Sequence, residues 1–61
     1  MTLHDKIHHA NEIANAIQQG AITYTYDNAS IQLPTPQRAG TMTQQRSYAM
    51  GKAMDIINQL T

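Results

Sequence analysis

Cysteine, phenylalanine, tryptophan and valine are all missing from this 61-residue chain. Without cysteine there is no disulfide staple and no thiolate metal site. Without the large aromatics and valine, the apolar inventory falls to isoleucine, leucine, alanine, four methionines and three tyrosines. Charge is equally sparse, with four Lys+Arg against four Asp+Glu and a formal net charge of zero. No large field therefore steers the chain onto phosphates or anionic lipid, which argues against non-specific nucleic-acid binding. Long apolar runs are absent too, none approaching the roughly 20 residues that span a bilayer. The start, Met1-Thr2-Leu3-His4-Asp5, lacks the basic and apolar regions of a secretion signal, so a cytoplasmic location is expected.

These absences leave a single domain, residues 1–61, that must fold on a thin margin. A chain this short buries only about 60% of the surface its unfolded form exposes. With disulfides and thiolate metal sites excluded, a partner chain or a second copy is the leading supplement.

What is present organises itself by periodicity. Leu3, Ile7, Ala10, Ile13, Ala14 and Ile17 recur at spacings of three and four, which predicts a helix over 3–19. Thr2 with Asp5 imitates a capping box, and Gly20 stands where a C′ glycine closes a last turn. From Ala21 the period becomes two: Ile22, Tyr24 and Tyr26 share one face, and Asp27-Asn28 fits a two-residue turn. Ile31 and Leu33 resume the alternation, and the loop length sets Tyr24 opposite Ile31 and Ile22 opposite Leu33. Pro34 and Pro36 end the hairpin, leaving Thr35 to Gly40 as a turn or one short helical turn. Thr41 with Gln44 is a second capping box, ahead of a helix over 42–60. Its stripe is Met50, Ala53, Met54, Ile57 and Leu60, with Ala49 and Ile56 on the flanks and Gly51 an incidental exposed residue. The expected class is α+β: helix, two-stranded antiparallel β-hairpin, helix, with both helices packed on one face of the hairpin, against Ile22, Tyr24, Ile31 and Leu33.

Few residues carry chemistry. His4, His8 and Glu12 fall at i, i+4 and i+8 and can present two imidazoles and a carboxylate to a divalent metal. A solvated polar face that includes His9 and Asn11 accounts for them better, so no metal and no cofactor is assigned. Tyr24, Tyr26 and Asp27 place phenols and a carboxylate at the hairpin, yet no candidate base or nucleophile is arranged around them, and the only serines are Ser30 and Ser47, so the chain reads as not an enzyme. Arg38, Arg46 and Lys52 form at most a modest basic patch, better explained as scattered solubilising charge. Asn28-Ala29-Ser30 matches a glycosylation sequon by chance, and Pro34-Thr35-Pro36 lacks the spacing of an SH3 ligand.

The order helix, Gly20, hairpin, helix resembles the small head-to-tail joining proteins of tailed phages known as the W family. Ala16 to Leu33 carries the likeness, which is architectural, and the neutral charge departs from that family's basic character. The favoured reading is a small protein-interaction module, encoded by a phage or other mobile element, that binds and masks a surface of a larger host protein. Partner contacts are expected at Tyr26, Asp27 and Asn28 on the hairpin tip and at Arg46 and Tyr48 on the second helix, because tyrosine and arginine suit interface centres. The alternatives are a structural subunit, such as a head-tail connector or a symmetric homo-oligomer, and a dimeric DNA-binding regulator, for which nucleic acid is the less expected partner.

Overall fold

A computed structural model of the chain describes residues 2–60. Its elements are α1 (Leu3–Gln18), β1 (Thr23–Tyr26), β2 (Ala29–Gln32) and α2 (Met42–Leu60). The α+β order and the helix boundaries follow the sequence periodicity closely.

Each helix end has a local cause. Thr2 Oγ1 accepts the Asp5 backbone N–H at 3.1 Å and so caps α1. In return, hydrogen bonds from the side chain and backbone of Thr2 hold the Asp5 carboxyl below its ordinary pKa. At the other end Gly20 takes φ +87°, its N–H bonding to the Ile17 carbonyl while the Ala21 N–H reaches that of Ala16. This is the Schellman pattern, and it needs the left-handed conformation that glycine adopts without cost. α2 opens with a reciprocal capping box: Gln44 N–H donates to Thr41 Oγ1 at 3.2 Å, and Thr41 N–H donates to Gln44 Oε1 at 2.9 Å.

The hairpin has the register that its turn dictates. Asp27 and Asn28 both hold positive φ, 49° and 66°, so the loop is a two-residue turn whose twist matches the strands. Tyr24 pairs with Ile31, and the Leu33 N–H extends the ladder to the Ile22 carbonyl at 2.8 Å.

The helices pack on each other and on one face of the hairpin. Ala10, Ile13, Ala14 and Ile17 of α1 meet Ala49, Ala53 and Ile57 of α2, and Tyr24 and Leu33 cover this core from the hairpin. Two expectations are corrected here. Ile22 is 79% exposed, because it lies beyond the ends of the strands where no helix covers it. Leu3, Ile7 and Leu60 are likewise exposed rather than buried, and Ala49, expected on a flank, is in the centre of the seam. The reason is size: alanines at 10, 14, 49 and 53 let the helices approach closely, and the buried line moves onto them.

The connector, residues 33–41, is also not a helical turn. Its backbone groups are held by side chains instead. Gln18 Oε1 accepts the Gln37 N–H at 3.1 Å while Gln18 Nε2 donates to the Gln37 carbonyl at 2.9 Å. Arg38 Nη1 donates to the Gln18 carbonyl at 2.6 Å, where the C-terminal end of α1 favours a cation. From α2, Gln45 Nε2 donates to the Arg38 and Gly40 carbonyls, and the Tyr48 hydroxyl to that of Thr35 at 2.5 Å.

Candidate functional site

The residues expected to contact a partner fall on three separate surfaces. Asp27 and Asn28 are exposed at the hairpin tip. Tyr26 beside them is half-buried, its ring edge-to-face with His9 of α1 at 5.3 Å. His9 is therefore not part of a fully solvated face, and its Nδ1 is buried without a hydrogen-bond partner among the described residues. Tyr48 and Arg46 are two positions apart on α2, about 200° around the helix. Tyr48 faces the connector through its bond to Thr35 and lies 5.8 Å beneath the Lys52 ammonium. Arg46 faces the other way, into a groove between the helices.

The histidine face is organised by Glu12 rather than by a metal geometry. Glu12 Oε1 lies 3.2 Å from His8 Nε2, and Glu12 Oε2 accepts the Tyr24 hydroxyl at 2.9 Å. Both carboxylate oxygens are thus engaged within the chain. Among the described residues no three of His, Cys, Asp and Glu stand together as metal ligands. Burial first, and the Glu12 bond second, push the Tyr24 phenol above its ordinary pKa, which leaves Tyr24 a neutral donor rather than a base.

The groove is the feature that residue-by-residue sequence reading misses. It encloses about 370 Å³, and no hairpin residue lines it. Ala14 and Ala49 of the buried seam line it, Asn11 and Asn15 follow one another along its α1 side, and Met42, Arg46 and Met50 succeed each other at one-turn spacing along its α2 side, with Arg38 reaching it from the connector. Its origin is the alanine seam: short side chains between two helices leave space above them that longer flanking side chains rim. The available signal was the pairing of alanines at spacing four in both helices, Ala10 with Ala14 and Ala49 with Ala53. The three cations expected as one patch do not converge, since Lys52 lies on the far side of α2 over Tyr48.

Exposed apolar side chains flank the groove: Leu3, 70% exposed, and Ile7, 47%, stand on the α1 line that leads to Asn11, and Met42, 72%, at the start of α2. No described helix is long and apolar enough to cross a membrane. Compared with known proteins, the chain matches no family model, no curated sequence and no solved structure. Its likeness to the W-family joining proteins accordingly rests on the order of elements alone.

Proposed function

We propose that this chain is a small, non-enzymatic protein-interaction module of the cytoplasm that acts by covering a surface of a larger protein. One observation carries the reading: large apolar side chains stand exposed among the polar residues on the outward face of the helix pair, where a two-layer domain ordinarily presents mainly polar residues to water. Leu3, Ile7 and Met42 stand exposed on it, with Met50 and Met54 half-buried alongside. Methionine suits such a face because its flexible thioether adapts to irregular partner surfaces. The non-enzymatic part is supported by the form of the cluster around Glu12: His8 and Glu12 are exposed to water, and Tyr24 is held as a neutral donor.

A second reading, a structural homo-oligomer, is favoured by the thinness of the core. Its seven buried hydrophobic side chains among the described residues are four alanines and three isoleucines, and a second copy on the same face supplements them. The experiment is affinity capture of the tagged chain from its native cells, with light scattering on the eluate and on the purified chain alone. The interaction reading expects a monomer alone and one stoichiometric companion, lost when Leu3 and Ile7 are both replaced by aspartate. A clean homo-oligomer without a companion replaces it by the structural reading.

A further inference from the structure

We infer that the groove between α1 and α2 receives an acidic, amphipathic segment of the partner, its carboxylates on Arg46 and Arg38 and its apolar side chains on Met42 and Met50. The inference rests on the interaction reading above and adds to it the chemistry of what binds.

Charge distribution is the first argument. The chain has four Lys+Arg and four Asp+Glu, yet the groove is lined by Arg38 and Arg46 and by none of the acids. Half of all the cationic side chains thus meet at one site within a neutral protein. The acids are held elsewhere: Asp5 at the Thr2 cap, Glu12 by His8 and Tyr24, Asp27 at the hairpin tip. Asp55 lies with Lys52 and Leu33 in a shallow hollow on the hairpin side of α2.

The second argument is the state of the guanidiniums. The Arg46 guanidinium has no hydrogen bond or ion pair among the described residues. Arg38 is fixed by a single donor, Nη1, on the Gln18 carbonyl. A guanidinium carries five N–H donors in a planar fork that matches a carboxylate. Arg46 has its whole fork to offer, beside the side-chain amides of Asn11 and Asn15, which have no partner among the described residues.

The third argument is shape. A volume of about 370 Å³ admits a few side chains and not a folded surface, which is how an amphipathic helix enters a groove. Ile7 and Leu3 precede Asn11 by one and two turns, so the α1 rim from Leu3 to Asn15 runs about 18 Å, its two apolar residues leading into a groove where Arg46 stands between Met42 and Met50. A partner helix of roughly 12 residues spans that rim.

Two other occupants fit less well. A second copy seated groove on groove sets guanidinium against guanidinium with no carboxylate between them. A nucleic-acid backbone needs a track of cations, whereas here two arginines are interleaved with Met42 and Met50 and give way to Ile7 and Leu3.

The test begins by panning a random 12-residue peptide library against the immobilised full chain. The best peptide is then titrated by fluorescence anisotropy against the wild type and Arg46→Glu. Expected are peptides enriched in Asp and Glu with apolar residues three or four apart, bound at least tenfold more weakly by Arg46→Glu and more weakly at 500 mM than at 50 mM salt. Circular dichroism checks that the variant is folded; if it is not, Arg46→Gln, which keeps the length and helix propensity, takes its place with the same readout. A neutral or basic consensus, no enrichment above background, or affinity indifferent to residue 46 overturns the inference. The two readings fail separately. A captured partner whose binding is unchanged by Arg46→Glu removes the groove assignment and leaves the interaction module, whereas a homo-oligomer with no partner removes both.

Discussion

The hydroxyl of Tyr24 on β1 donates a 2.9 Å hydrogen bond to Glu12 Oε2 on α1. It is the one side-chain hydrogen bond found between hairpin and helix among the described residues. Its pH dependence follows from the raised phenol pKa, caused first by burial and then by the Glu12 bond and charge. A group whose folded pKa is raised stabilises the fold fully below its unfolded value and loses that contribution as pH rises through the folded one. The unfolded phenol titrates near 10.0, so the contribution is complete at neutral pH and is lost on the alkaline side of 10. In urea denaturation Tyr24→Phe is expected to be less stable than the wild type by about 1 kcal/mol at pH 7. That gap narrows above pH 10; a gap constant from pH 7 to 11 contradicts the linkage.

Gly51 is exposed in the middle of α2, and a Cβ built on it meets nothing within 4 Å. Neither a close approach nor an unusual φ requires glycine there. Gly51→Ala is therefore expected to stabilise the fold by about 1 kcal/mol through helix propensity, raising Tm by roughly 4–8 °C for a domain of this size. An unchanged or lowered Tm contradicts the reading of Gly51 as an unconstrained position in α2.

The turn offers a paired test, because Asn28 holds φ 66° next to Asp27 at 49°. Asn28→Gly keeps the two-residue turn and is expected to leave stability equal or slightly raised. Asn28→Val forces a β-branched residue into the left-handed region and costs about 1–2 kcal/mol. Equal thermal stability of the two variants rules out this turn type.

How much of this was legible in the sequence depends on the range of the interaction that decides each feature. Both helices, the Thr41–Gln44 box, the Gly20 terminus and the pairing of Tyr24 with Ile31 are decided within a few residues, by periodicity, caps and a two-residue loop. Burial was less legible. Leu3, Ile7 and Ile22 carry the right pattern for a core, but whether a partner element reaches them is decided by the crossing of the helices and by the short strands. Alanines set that crossing, and alanine is weak as a hydrophobic signal although strong as a spacer. The connector was illegible for a related reason: Pro34 and Pro36 exclude strand, yet nothing local says that Gln18, nineteen positions earlier, supplies the missing hydrogen bonds. Of the five contact residues read from the sequence, only Arg46 faces the groove.

That Gln18 clamp gives the last prediction. Its side-chain amide accepts from the Gln37 N–H and donates to the Gln37 carbonyl, copying the pairing of a neighbouring strand across a half-buried site. Removing it leaves two backbone groups without a partner, a larger effect than the loss of an ordinary exposed bond. Gln18→Met keeps the side-chain length and offers neither a donor nor a comparable acceptor, so it isolates the hydrogen bonds from the packing. The expected cost is about 1–3 kcal/mol in urea denaturation. The sharper readout is amide hydrogen exchange. The Gln37 N–H, bound at 3.1 Å, should be protected in the wild type and exchange much faster in Gln18→Met, while the amides of the α1 and α2 core change only as far as global stability falls. Equal exchange at Gln37 in both proteins means that the connector is not held by Gln18. Arg38, the next residue, would then be placed beside the groove by its own bond to the end of α1 alone.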